Sequence, residues 1–101
     1  MERKHANPEW IKAFQFESIV VLVACGQNLT AGYKVFFEQS IAAVHPPIFN
    51  ILELEPVGPV PEVITPYVVA TSFVASDKIK VVKVETADGT SSVVVEDARL
   101  S

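Results

Sequence analysis

Apolar and polar residues alternate along much of this chain, and a period of two predicts β-strands. Glu17–Cys25 departs from this alternation, because it is rich in valine and isoleucine and is uncharged after its first residue. A continuous apolar run of this length predicts a central strand that is covered on both faces. Tyr33–Val44 alternates again, and Pro46 and Pro47 end the pattern because proline donates no ladder hydrogen bond.

Two further strands are predicted in the middle of the chain. Ile48–Glu55 shows a phase slip near Ile51, which predicts either a bulge or burial of both faces. The prolines between residues 56 and 61 predict an extended connection, since a central strand does not accommodate them. Glu62–Ala75 then alternates, and Pro66 marks an edge or a bulge near its start.

The C-terminal third of the chain predicts a β-hairpin. Lys78–Glu85 and Ser91–Glu96 are both rich in valine, and Asp88-Gly89 lies between them. Asp-Gly is a strong hairpin signal, because glycine accepts the positive φ of a tight turn.

The N-terminal segment predicts a short helix. Pro8 is favoured at a helix start, and Trp10, Ile11 and Phe14 fall at spacings that share one helical face. With the strands, this predicts an all-β fold: a small antiparallel β-sandwich or partly open barrel of six to seven strands with a short N-terminal helical turn. Residues 1–16 are then an N-terminal extension, and residues 17–101 are a single β domain.

Composition narrows the classes of partner. The chain has 101 residues, half of them hydrophobic, which suits one domain with its own core. The net charge of -4 argues against a nucleic-acid surface, which needs clustered basic residues. The longest uncharged apolar run, Ile19–Cys25, is far shorter than the roughly 18–20 residues of a transmembrane helix.

These features predict a cytoplasmic protein with no membrane span. One alternative stays open, because Leu-Val-Ala-Cys at residues 22–25 has the form of a bacterial lipoprotein cleavage site. Such a signal needs a clean apolar segment of roughly 7–15 residues. Glu9, Lys12 and Glu17 interrupt that segment here, and cleavage before Cys25 would discard the best predicted strand.

The residues that carry enzyme chemistry are few and scattered. Cys25 is the only cysteine, and neither His5 nor His45 belongs to a motif that makes it the base for that thiol. Glu53 and Glu55 lie about 7 Å apart on one strand face, which loosely fits a glycosidase pair. Acids that alternate with leucines are also the ordinary pattern of a half-solvated strand. We therefore predict no catalytic residue, no metal, no cofactor and no enzyme activity.

One segment interrupts the strand pattern: Gly26-Gln27-Asn28-Leu29-Thr30-Ala31-Gly32-Tyr33, hereafter the 26–33 loop. Gly26 closes the preceding strand, and Gly32 can take a backbone conformation that other residues avoid. Asn28 and Thr30 can bond the local backbone. Such a loop is either a structural connection or a binding loop that a rigid sheet presents.

The 26–33 loop and a second motif resemble a known family. A strand followed by Gly-Gln-x-x-Thr-x-Gly-Tyr and a further strand is similar to the start of the PrcB C-terminal domain family, which is associated with protease complexes. Leu29 replaces a proline of that family, and Ala31 replaces the first glycine of a pair. Downstream, Val63–Val69 resembles the family's valine–threonine–tyrosine–proline–tyrosine strand. The resemblance covers residues 17–73 and excludes the C-terminal hairpin.

The loop also resembles, more distantly, the asparagine–proline–threonine–threonine–glycine–tyrosine loop of chagasin-type cysteine-protease inhibitors, which are immunoglobulin-like β-sandwiches. Leu29 again departs from the pattern. Both resemblances imply a non-catalytic, all-β module that engages or stabilises a protease or another protein. The partner-binding residues that follow from them are Gln27, Asn28, Leu29, Thr30, Gly32 and Tyr33.

A second hypothesis is a structural β domain that forms a homo-oligomer and has no activity in the loop. Ser91–Val95 would be its valine-rich pairing edge, because it lacks the charges that usually block edge association. A charge at Val94 would break such a dimer, whereas a change at Thr30 would leave it intact.

Overall fold

The computed structural model describes residues 3–40 and 46–98, which form eight β-strands. They are β1 (Arg3–His5), β2 (Trp10–Phe16), β3 (Ile19–Asn28), β4 (Lys34–Gln39), β5 (Ile48–Leu54), β6 (Thr65–Val74), β7 (Val81–Thr86) and β8 (Gly89–Asp97). The predicted all-β class is confirmed. The end of the predicted strand Tyr33–Val44, from residue 41 onward, lies outside the described residues. No helix within the described ranges is long and apolar enough to cross a bilayer.

The strands form one curled sheet in which β6, β3, β2, β8, β7 and β5 follow one another as neighbours. β4 pairs along one edge of β5, and β7 and β1 share the other edge. The hairpin of β7 and β8 inserts between β5 and β2, and this insertion makes the β5–β7 and β2–β8 pairs parallel. The result is a mixed half-barrel, so the predicted purely antiparallel pairing is wrong.

The inner face of the curled sheet encloses the core. Its largest fully buried side chains are Leu22, Ile51, Val20, Val82 and Val84. The ring centroid of Phe49 lies 5.3 Å from that of Phe73 and 6.4 Å from that of Phe37. Because Phe37 belongs to β4 and Phe73 to β6, these contacts join two edge strands across the interior.

The predicted helical turn at Pro8–Phe14 is wrong, because β2 occupies that segment. β2 pairs with β3 along its whole length and with β8 at residues 13–15. Ala13 and Gln15 point inward and are buried. The Gln15 side-chain amide donates to the carbonyl oxygens of Glu17 and Asp77, each at 3.1 Å. Pairing on both sides thus overrides a short apolar spacing that also fits a helix.

β3 is a central strand, as predicted, but the described residues cover only one of its faces. Val20, Leu22 and Ala24 point inward and are fully buried. The alternate side chains point outward and are half-exposed, and Ile19 is 48% exposed. The prediction that both faces are covered is therefore not met within the described residues.

The pairing and burial of β5 and β8 test two further predictions. β5 keeps a continuous register with β4, and Ile51 and Leu52 are both buried, so its phase slip reflects burial of both faces and not a bulge. The predicted C-terminal hairpin is confirmed. However, β8 lies between β7 and β2 in the sheet order and pairs with β2 from Val95 onward, so Ser91–Val95 is not the outer edge of the sheet that was predicted. Within the described sheet, the strands that pair with a single neighbour are β1, β4 and β6.

Candidate functional site

The turn within the 26–33 loop begins later than the sequence predicts. β3 continues through Gly26, Gln27 and Asn28, which pair with the first residues of β6. Residues 29–33 form the turn itself, and β4 begins at Lys34. Three of the eight residues of the predicted loop are therefore held in a ladder of backbone hydrogen bonds.

Gly26 is needed for close packing. A methyl group on Gly26 would lie 2.5 Å from the hydroxyl oxygen of Tyr67 and 2.7 Å from the ring carbon that bears it. Such contacts are too short to exist, so the ring of Tyr67 fits against β3 only because residue 26 has no side chain. The prediction that Gly26 closes the strand is wrong. Gly26 instead leaves room for the aromatic ring of Tyr67 on β6.

The tip of the loop is braced by the connection between β5 and β6. Gly32 has a φ of 90°, in the region that favours glycine, and a Cβ there would lie 2.9 Å from the Cβ of Pro56. The backbone N–H of Ala31 donates to the carbonyl oxygen of Pro61 at 3.2 Å. These contacts confirm the special conformation predicted for Gly32 and fix the loop against a proline-rich segment.

A surface cleft of about 390 Å³ lies beside the loop. The residues that line it are Asn7, Gln27, Asn28, Leu29, Thr30, Tyr33 and Glu53. All the predicted partner-binding residues except Gly32 thus line one cleft. Gly32 instead packs behind the loop on Pro56.

The cleft lining offers both polar and apolar surface. Five of its seven residues carry an amide or a hydroxyl group. Leu29 is 80% exposed, so its side chain contributes little to the core. Amides and hydroxyls bond the backbone of a partner, and an exposed leucine supplies an apolar contact, so this lining suits another protein chain.

Glu53 is the charged residue in the cleft lining. Burial raises the pKa of its carboxyl above the usual range; Lys4, its cross-strand neighbour on β1, lowers that pKa, and Glu55 raises it. Lys4 also forms an ion pair with Glu55. A partly desolvated carboxyl group favours a cationic or hydrogen-bond-donating group in the cleft.

The hydroxyl group of Tyr67 is buried and has no hydrogen-bond partner within the described part of the chain. Burial, and then the charges of Glu53, Cys25 and Glu9, raise its pKa to about 12. Sequence reasoning missed Tyr67, Asn7 and Glu53 as parts of this region, because long-range strand pairing brings them to the loop. No local sequence motif indicates that pairing.

Cys25 and His5, which were considered for nucleophilic chemistry, lie on separate strands. Cys25 lies on the outward side of β3, opposite Trp10 and Val68 on the neighbouring strands. His5 lies on β1, where its Nε2 is 2.9 Å from the Oδ1 of Asn50. His45 lies outside the described residues.

Comparisons with protein-family models, with curated proteins and with solved structures find no match for this chain. In residues 3–40 and 46–98, no group of three or more histidine, cysteine, aspartate or glutamate side chains could hold a metal ion. The two family resemblances therefore stay predictions, and the geometry of the cleft carries the functional argument.

Proposed function

We propose that this chain is a non-catalytic protein-binding module that engages its partner through the cleft beside the 26–33 loop. The observation that carries this proposal is the convergence of Gln27, Asn28, Leu29, Thr30 and Tyr33 on one cleft. The sequence predicts that these residues bind a partner, and residues that bind the same partner must lie close together on the surface.

The rigidity of the loop supports binding. β3 and β6 hold its first three residues, while Gly32 and Ala31 contact the proline-rich connection. A loop already held in one shape loses less conformational entropy on association than a mobile loop. Leu29 then supplies the apolar contact, and Gln27 and Asn28 supply hydrogen bonds to the backbone of the partner.

The class of partner rests on the resemblances. Both the PrcB C-terminal domain family and the chagasin-type inhibitors are associated with proteases, so we propose a protease as the partner. Glu53 adds a chemical preference, because a carboxylate in the cleft attracts a basic group of the bound protein.

Leu29→Asp tests the proposal, because an 80% exposed side chain can be replaced without disturbing the core. The tagged variant and the wild type are compared for retention of partners from a cell extract and for binding to a purified cysteine protease. We expect the wild type to retain a partner that Leu29→Asp loses. Circular dichroism verifies that both proteins are folded.

Val57→Asp is the matched control. Val57 is 79% exposed, nearly as much as Leu29, but it lies on the connection between β5 and β6 and does not line the cleft. Val57→Asp should keep the partner. Loss of the partner from both variants, or an identical set of retained proteins in all three samples, contradicts binding through the cleft.

A further inference from the structure

β2, β3 and β6 present an apolar surface to the outside of the half-barrel, which we call the outer face. Strand pairing aligns its side chains in four rows: Trp10, Cys25 and Val68; Lys12, Val23 and Ala70; Phe14, Val21 and Ser72; and Phe16, Ile19 and Val74. Val68 is 73% exposed and Phe16 is 50% exposed. A contiguous exposed apolar patch of this kind marks an interaction surface.

The composition of β3 also indicates a second layer over the outer face. A strand with one solvated face carries polar residues on that face. On its outward face β3 instead carries Ile19, Val21 and Val23, at positions where contact with solvent would favour polar side chains. Its sequence is that of a strand covered on both sides, and the described residues cover one side.

The shape of the outer face selects the occupant. β2 contributes large side chains, including Trp10 and Phe16, whereas β6 contributes small ones, including Val68 and Ala70. A two-fold axis along β3 would lay β2 of each copy over β6 of the other, so large side chains meet small ones in both halves. We propose that the outer face is the interface of a homodimer in which two copies stack face to face, about 10 Å apart.

The charges on the outer face permit this arrangement. Lys12 is the one charged residue in the four rows, and its Nζ lies 5.6 Å from the centroid of the Trp10 ring. With the axis along β3, the two lysines fall on opposite sides of the interface, roughly 10 Å apart along the sheet and about 10 Å across it. That separation exceeds the Debye length of about 8 Å at physiological salt.

The outer face is large enough for a weak dimer. Seven residues of β2 and ten residues each of β3 and β6, at about 3.3 Å per residue and about 4.8 Å between strands, span roughly 430 Å² in projection. Because side chains project from the sheet, the accessible area is larger than this projection. It approaches the roughly 600 Å² per partner at which specific interfaces begin. A membrane surface fits less well, because the outer face offers one lysine and the chain carries a net charge of -4.

Sedimentation velocity over about 1 μM to about 1 mM tests the proposal. We expect the wild type to dimerise within this range. Val74→Lys should weaken dimerisation at least about ten-fold, because the ammonium group would be buried beneath Phe16 of the second copy. Val57→Lys is the matched control: Val57 is also 79% exposed but lies on the connection between β5 and β6, so the dimer should persist.

A side-chain swap tests the proposed register. Val68→Trp should weaken the dimer by opposing two tryptophans, and Trp10→Val combined with it should restore dimerisation. A wild type that stays monomeric throughout the range overturns the proposal, whether or not it sediments with neutral phosphatidylcholine vesicles. A dimer that Val74→Lys leaves unchanged also overturns it.

Discussion

The cleft and the outer face, the two surfaces that we propose for association, are built in opposite ways. The cleft exists because glycines and prolines interrupt the strand pattern, and five of its seven lining residues carry an amide or a hydroxyl group. The outer face exists because three strands continue without interruption, and its rows are mostly apolar. An interruption is visible in a sequence. An apolar residue, in contrast, looks the same whether it faces a core or a partner.

The largest predicted effect separates the outer face from the core beneath it. Leu22 is fully buried, so Leu22→Ala should lower the free energy of unfolding by about 3 kcal/mol through the cavity that it leaves. Val68→Ala, on the outer face, should change it by less than about 0.5 kcal/mol. Urea denaturation of dilute protein, in which the monomer dominates, gives both values. Equal losses would mean that the outer face belongs to the core of the monomer.

The next effect concerns the packing beside the cleft. Gly26→Ala should cost about 2 kcal/mol, because the new methyl group overlaps the ring of Tyr67. The same substitution in a Tyr67→Ala background should cost much less, since the overlapping ring is gone. A double-mutant cycle of unfolding free energies measures this coupling. Additive losses would show that Gly26 is required for another reason.

Tyr67→Phe should stabilise the protein by about 1 kcal/mol, because it removes a buried hydroxyl group with no partner in the described residues. The pKa of Tyr67 is about 12 in the folded protein, against an ordinary value of 10.0. The folded state therefore holds the proton more tightly. The resulting stability is complete below pH 10.0 and is lost as the pH rises through about 12.

Alkaline denaturation followed by circular dichroism checks this dependence. Tyr67→Phe should remove the part of the stability loss that arises above pH 10.0. Destabilisation by Tyr67→Phe at neutral pH would show instead that the hydroxyl group makes a favourable contact.

The smallest effect is expected at Glu53. Its pKa in the folded protein is raised above the ordinary 4.5, so its contribution to stability is present below pH 4.5 and is lost as the pH rises through the raised pKa. Glu53→Gln should therefore be slightly more stable than the wild type at pH values above the raised pKa, and this difference in stability should disappear at lower pH. Thermal denaturation across the acid range measures the difference. A stability gain that does not depend on pH would contradict the inference that burial raises the pKa of Glu53.

The sequence predicts what is local and misses what is paired over long distances. β3, β5, β6 and the C-terminal hairpin were predictable because each is a long segment with a strong pattern. β2 was not, since the spacing of Trp10, Ile11 and Phe14 also fits a helix and only pairing with β3 and β8 decides. The same lack of pairing information placed Ser91–Val95 wrongly at an edge.

The candidate site divides in the same way. The loop residues of the cleft follow one another in the chain, so turn chemistry could select them. Asn7 and Glu53 reach the cleft only because β5 pairs with β1 and with β4, and Tyr67 reaches Gly26 only because β6 pairs with β3. No sequence pattern near these residues encodes those partners.

Photo-crosslinking from two positions tests most directly whether the two surfaces have different occupants. One variant carries the crosslinker at Leu29, on the rim of the cleft, and the other carries it at Val68, on the outer face. We predict that position 68 gives a covalent homodimer and that position 29 gives an adduct with a different protein. The same product from both positions, or a homodimer from position 29 alone, would contradict two separate association surfaces.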